Sequence, residues 1–366
     1  MKPAEDYIVP WVKTAEPYSD KHMDLAWEHP QVIRMMSNEN LIAPSEEVLE
    51  AILQAARAGN LYPGSGPELR KRLGEAAGLS AEHVVLGNGS TDVINFVVHT
   101  FVAPGEEVVL PVPTFPMYEA RTRVAGGNPV HIPMRTDFYW DIEGILKAVS
   151  SRTKLIFVCS PNNPTGLQIT EKDLLRLLEL GVPLFFDEAY YELENEVRTY
   201  AGLVREYPHL MVSRTFSKAF GLAGCRIGYL LADPKLASYF NRVRIPWNVS
   251  LLSLAAALAG LDDQADQQRK RRNVIDGRKA IYEEINRIQG LHAYPSEGNF
   301  VLIDASSLGK DSLEIRDALS ERGIYIRPMS GHNMAKGFIR VTVGTPEQNA
   351  LFLRTFRAYV DEIRQK

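Results

Sequence analysis

The feature that most constrains this chain is an alternation that runs from about residue 84 to 232. Short β-branched or aromatic runs recur there: Val84-Val85-Leu86, Val108-Val109-Leu110, Leu155-Ile156-Phe157-Val158, Leu184-Phe185-Phe186 and Leu210-Met211-Val212. Helical patterns lie between most of them, for example over 174–180 after a cap at Thr170. Strands that are apolar on both faces and alternate with helices predict an α/β fold, a mostly parallel sheet with helices on both faces. Such sheets bind ligands beyond the carboxyl ends of their strands.

The flanks read differently. Residues 1–44 are irregular and proline-rich and are expected to pack beside the C-terminal part. A helix opens at Pro44-Ser45, with Ser45 as N-cap, Glu46 and Glu47 in the first turn, apolar residues at helical spacing, and Gly59 at its end. After 265 a long polar helix over 266–287 precedes strands near 300–303, 324–326 and 338–341 and helices around 311–321 and 346–363. This pattern predicts a smaller α+β domain over 266–366, beside a large domain over 45–265.

Composition excludes several classes. The chain has 366 residues, 45% apolar and 23% charged, the balance of a globular protein. A net charge of −4 offers no basic surface to nucleic acid. The acidic residues Asp262, Asp263 and Asp266 and the basic run Arg269-Lys270-Arg271-Arg272 are read as a solvated helix face. Cys159 and Cys225 have no metal-like spacing and fit buried thiols in a reducing compartment. Residues 1–18 carry charges and three prolines but no apolar signal core, and no apolar run is long enough for a spanning helix. A cytoplasmic protein is expected, with no metal, nucleic acid or membrane partner.

Unusual residues follow directly on the strand runs. Gly87-Asn88-Gly89-Ser90-Thr91-Asp92 feeds a helix N-terminus, where free N–H groups and the helix dipole favour an anion. A tight turn with Ser90 as N-cap reads the same residues equally well. A nicotinamide-type reading is undercut by Asp92 in place of a third glycine. Ser160-Pro161-Asn162-Asn163-Pro164-Thr165-Gly166 is a rigid turn that holds the Asn163 amide. Asp187-Glu188-Ala189-Tyr190 puts a carboxylate directly behind buried residues, either capping a turn or facing a cationic ring nitrogen. In Ser213-Arg214-Thr215-Phe216-Ser217-Lys218, followed by a glycine-rich apolar loop up to Arg226 and Gly228, desolvation would free the Lys218 amine as a nucleophile. The Arg226 fork eight residues on can grip a phosphate.

With Asn38-Glu39-Asn40, Tyr62-Pro63, Pro113-Thr114-Phe115, Glu297-Gly298-Asn299-Phe300 and Arg340-Val341-Thr342-Val343-Gly344, these motifs occur in one order along nearly the whole chain. In that order the chain resembles the fold-type I pyridoxal-phosphate (PLP) aminotransferases of class I/II, and within them the histidinol-phosphate aminotransferases. The resemblance implies that Lys218 carries PLP as a Schiff base and serves as general base. Asp187 would hold the ring nitrogen protonated, Asn163 and Tyr190 would contact the ring's phenolic oxygen, and Phe115 would stack on the ring. Gly89, Ser90, Thr91, Thr215, Ser217 and Arg226 would hold the phosphate. Tyr62 would reach the neighbouring active site of a homodimer. Arg340 would grip the substrate carboxylate or its equivalent. The implied reaction moves an amino group from a small-molecule amino donor to a 2-oxo acid such as 2-oxoglutarate, with ping-pong kinetics.

Departures from the family pattern fall in the substrate pocket. Asn38-Glu39-Asn40 is followed by Leu41-Ile42, so Ile42 stands where the family has a tyrosine, and Tyr62-Pro63 lacks the aspartate that follows it there. Arg327 matches the family arginine near the substrate phosphate. His332 reads as a polar loop residue or a substrate contact. The donor is therefore histidinol phosphate or another amine. An aromatic or specialised amino acid, or a PLP-dependent decarboxylation on the same fold, stays open. A PLP-sensing regulator is disfavoured because no basic helix-turn-helix pattern is present.

Overall fold

A computed structural model describes residues 2–17 and 21–365. Its seven-stranded sheet comprises β2 (Val84–Gly87), β3 (Glu107–Val112), β4 (Asn128–Pro133), β5 (Thr153–Cys159), β6 (Leu184–Asp187), β7 (Leu210–Thr215) and β8 (Gly228–Leu231), in the order β2-β8-β7-β6-β5-β3-β4. The run β7-β6-β5-β3-β4 is parallel throughout, while β8 lies antiparallel between β7 and β2. The five apolar runs seen in the sequence all become strands, and every residue of β6, β7 and β8 is buried. Apolar cores lie on both faces, one around Trp140, Ile156, Phe186 and Leu231 and one around Phe96, Phe157, Phe185 and Phe240. This two-sided burial is why the strands read as continuous rather than alternating.

A second sheet, in the order β1-β11-β12-β10-β9, is built from β1 (Ile33–Met35), β9 (His292–Ala293), β10 (Phe300–Asp304), β11 (Ile324–Pro328) and β12 (Phe338–Thr342). The helices Ser312–Ser320 and Pro346–Arg364 accompany it, with its own core around Ile303, Ile339, Phe352 and Phe356. Capping boxes, Asp311 with Glu314 and Thr345 with Gln348, start both helices.

Four expectations need correction. The described part of residues 1–44 is not wholly irregular: it holds the helices Pro10–Thr14 and Lys21–Glu28, and β1 pairs parallel with β11. The helix Glu46–Ala56 ends before Gly59, and Ser45, although at its N-cap, makes no side-chain cap bond. The long helix is Gln264–Asn286, and its basic run is a solvated face only at Arg269 and Arg272. Lys270 is buried against Asp266 (2.6 Å) and the Phe220 carbonyl (2.9 Å), and Arg271 donates to the Glu192 and Asn195 carbonyls. These contacts tie the long helix to the segments that follow β6 and β7. Finally, Cys159 is buried but Cys225 is only partly so.

Candidate active site

The carboxyl ends of β5, β6 and β7 deliver their following residues to one cavity of about 430 Å³, closed on its far side by β11, β12 and the helix Lys21–Glu28. Lining it are Ser90, Thr91, Phe115, Asn163, Asp187, Tyr190, Thr215, Ser217, Lys218, Arg226, Arg327 and Arg340, residues drawn from most of the motifs along the chain.

One end of the cavity is built by close backbone approach. Gly89, at φ 77°, is the N-cap of the helix Ser90–Phe101, so Ser90 is the first helical residue and not the cap. A Cβ on Gly89 would collide with the Arg226 guanidinium, and one on Gly228 would strike the backbone of Gly89 and Ser90. The positive end of this helix, the Thr215 and Ser217 hydroxyls (3.0 Å apart) and Arg226 thus surround one space. Asp92 does not face that space. It accepts from the Asn88 N–H (2.9 Å) and from Asn248 Nδ2 (2.7 Å), stapling the loop from behind.

At the opposite end Asp187 is almost fully buried. One carboxylate oxygen accepts from the Ala189 N–H (3.0 Å) and so caps the turn, while the other accepts from the Tyr118 hydroxyl (2.7 Å). The turn-capping reading of Asp187 therefore holds. Burial pushes its carboxyl up to about 6, against the pull of those two donors. Tyr118 was not foreseen. It stacks on Phe157 (4.5 Å) and meets Phe115 edge-on (5.6 Å), and burial and Asp187 push its hydroxyl well above the usual range.

Lys218 Nζ donates to the carbonyls of Asn38 (2.9 Å) and Ser37 (3.3 Å) and lies 5.7 Å from the Tyr190 ring. Burial, then the Arg340 charge, lowers its amine to about 8, so the neutral form becomes the major one at mildly alkaline pH. Asn163 Oδ1 accepts from Arg340 Nη1, which leaves its amide nitrogen as a donor. Arg340 Nη2 donates to the Met36 carbonyl (2.7 Å). Arg327 Nη1 stands 3.3 Å from His22 Nε2. His332 also lines the cavity, its imidazole held below the usual range by burial and then by Arg327 and Arg340. Beneath the site Glu188 and Arg214 form a buried ion pair (2.9 Å) that the sequence did not announce.

Two predicted residues lie elsewhere. Ile42 does not line the cavity; its N–H donates to Asn40 Oδ1 and its carbonyl lies near Gly221. Tyr62 is 81% exposed and stacks on Trp247 (4.8 Å), away from this chain's own cavity.

The model of the family described as aminotransferase class I and II matches residues 30–356. The chain belongs to the class I and II aminotransferases. Among its relatives, the histidinol-phosphate aminotransferase of Methanosarcina mazei is 39% identical over 336 residues, 91% of this chain and 89% of that one. That of Nitrosococcus oceani, histidinol-phosphate aminotransferase 1, is 36% identical over 91% of this chain and 90% of its own. Among solved structures, the histidinol-phosphate aminotransferase of Sinorhizobium meliloti in complex with pyridoxal-5'-phosphate superposes with a TM-score of 0.84 at 28% identity, covering 96% of this chain and 98% of that one. Thermus thermophilus aspartate aminotransferase with maleate gives 0.85 at 25%, covering 96% and 99%. The aminotransferase fold thus brings Lys218, the strand-end carboxylate Asp187 and the turn at Ser90 and Arg226 to one cavity. Among the described residues no helix is long and apolar enough to cross a membrane.

Proposed function

We propose that this aminotransferase uses PLP bound through Lys218 to move an amino group from histidinol phosphate to a 2-oxo acid such as 2-oxoglutarate. One observation carries the reading: Lys218, Asp187, Arg327 and Arg340 line a single cavity. The residues present fit the cofactor. A buried carboxylate with a raised pKa matches a cationic ring nitrogen, the cradle at Gly89 and Arg226 matches a phosphate, and a lysine lowered to about 8 matches an aldehyde. The relatives named histidinol-phosphate aminotransferase support the donor, and so does Arg327 at the far end of the cavity.

When bound, PLP supplies an electron sink for negative charge at the donor's reacting carbon. Asp187 would keep a proton on the ring nitrogen. Tyr190 and the Asn163 amide nitrogen would donate to the ring's phenolic oxygen, and Phe115 would pack against the ring. Ser90, Thr91, Thr215, Ser217 and Arg226 grip the phosphate with charge-assisted hydrogen bonds. Lys218 would hold the cofactor through its amine, and that amine, when free, would take the Cα proton as general base. Arg340 and Arg327 orient the donor through its anionic groups. The two half-reactions share one site, so kinetics are ping-pong.

The working unit in this reading is a cytoplasmic homodimer. Tyr62 and Trp247 are exposed together with Leu61 and Ile245, an apolar patch that a second copy would cover while Tyr62 reached its site. We also read residues 45–265 as the cofactor-binding domain and 266–366 as the smaller domain, each around its own sheet, with 1–44 beside the latter.

The test is a half-reaction without oxo acid. L-Histidinol phosphate, mixed with the yellow holoenzyme in parallel with histidine, phenylalanine and tyrosine, should convert the cofactor to its amine form fastest. Conversion by another donor but not by histidinol phosphate would replace the substrate and keep the chemistry. Release of carbon dioxide would replace the reaction.

A further inference from the structure

We infer that Asn38 is a positioning residue that polarises the Tyr190 hydroxyl and sets the proton affinity of the bound cofactor. The inference rests on the reading of Tyr190 as a cofactor contact. Asn38 lies 152 residues from Tyr190 in sequence, yet its Nδ2 donates to the Tyr190 hydroxyl oxygen at 3.0 Å, with both side chains buried.

The amide orientation follows from its other partners. The Asn38 N–H donates to Thr342 Oγ1 (2.9 Å), so the Thr342 hydroxyl proton is free to donate to Asn38 Oδ1 (3.3 Å). With Oδ1 occupied as an acceptor, the Nδ2 donor is the group turned toward Tyr190. The phenol oxygen therefore accepts from Asn38, and its own proton is left to donate into the cavity. A phenol that accepts one hydrogen bond is a stronger donor in the next.

Asn38 also holds a left-handed backbone, φ 55°, a conformation costly for most residues but tolerated by asparagine, aspartate and glycine. In that conformation its carbonyl accepts from Lys218 Nζ (2.9 Å) and from Asn299 Nδ2 (2.9 Å). Side chain and backbone of one residue thus address the tyrosine and the lysine from the same side. Glycine at 38 preserves the backbone and removes only the amide.

The holoenzyme's visible spectrum, titrated against pH, reads the effect without turnover. A donor to the cofactor's phenolic oxygen favours the deprotonated form, so weakening it raises the midpoint. Asn38→Gly should raise the midpoint by about half a unit to one unit, the size of one modest hydrogen bond. Tyr190→Phe should raise it further, and adding Asn38→Gly to Tyr190→Phe should then change nothing. A shift from Asn38→Gly that persists undiminished in the Tyr190→Phe background would show a general loosening and overturn the inference. So would an unmoved Asn38→Gly midpoint beside a shifted Tyr190→Phe. An unmoved Tyr190→Phe midpoint would instead defeat the reading of Tyr190 and the inference with it. Should the glycine variant not fold, Asn38→Asp keeps the backbone but offers the phenol proton an acceptor. It must move the midpoint up toward the Tyr190→Phe value, and no movement overturns the inference.

Discussion

Arg327 and Arg340 are direct cross-strand partners in the antiparallel pair of β11 and β12, two guanidinium groups set opposite each other at the wall of one cavity. Like charges directly opposite in a sheet are destabilising by a few tenths to about 1 kcal/mol. Arg340 is buried and already engaged with Asn163 and the Met36 carbonyl, so the repulsion is borne in the free protein. The arrangement favours an anionic ligand over an empty cavity.

Arg327→Ala should therefore separate stability from function. The KM for a phosphorylated donor should rise by roughly ten- to a hundredfold, from the loss of one charge-assisted contact of about 1.5–3 kcal/mol. An unphosphorylated donor should change little, and the melting temperature should hold or rise slightly. Equal losses for both donors would remove Arg327 from phosphate recognition.

Asp187 predicts an unusual pH dependence for the cofactor-free protein. Its folded carboxyl is raised to about 6 from an ordinary 3.8, so between those values the folded state binds more protons than the unfolded one. Stability contributed here is present at low pH and is lost as pH rises through about 4 to 6. Above that window the buried charge costs up to about 3 kcal/mol. Cofactor-free Asp187→Asn should be more stable than wild type at pH 7, and the gap should close near pH 4 in denaturant titrations. A gap independent of pH would mean that Asp187 titrates normally.

Lys218 should react with added PLP at a rate that follows its neutral fraction. With the amine lowered to about 8, the rate of yellow holoenzyme formation should climb with pH and level off above about 8. A climb continuing to the ordinary lysine range near 10.4 would place no desolvation on Lys218. Lys218→Ala should lose turnover by at least about a thousandfold. A variant that still transaminated would end the proposed mechanism.

Tyr62 offers a test of shared sites. If it serves the neighbouring copy, Lys218→Ala and Tyr62→Ala leave complementary defects. Mixed dimers of the two variants contain one site with both Lys218 and Tyr62 intact. Refolding the inactive lysine variant with an excess of the tyrosine variant should restore activity above the sum of the parts. No restoration in a mixture shown by sedimentation to form dimers would place Tyr62 in its own chain's function or in none.

Much of the large sheet was legible because two-sided burial demands continuous apolar runs, and β5, β6 and β7 have them. β4 escaped notice because its residues, Asn128–Pro133, mix polar groups with two prolines, as an edge strand allows. β1 is three residues long and takes its pairing from β11, almost 300 residues away, so no local pattern could announce it. Lys270 and Arg271, inside the basic run, depart from a solvated face for a similar reason. Charge spacing shows a helix face, but not that the segments after β6 and β7 would close over it.

The sequence by itself determined the chemistry: a lysine in a small-residue loop, a carboxylate and an amide at strand ends, a glycine turn before a helix, and arginines on later strands. These are local facts, written in residue type and spacing, because turns, caps and strand ends follow from neighbouring residues. Only the tertiary structure decided which of them touch. Tyr118 meets Asp187, Asn38 meets Tyr190, Arg327 faces Arg340, and Ile42 turns away from the cavity. Such contacts depend on register and on hydrogen-bond direction across segments brought together by burial, and a shift of one residue in β11 or β12 would point their side chains to the other face.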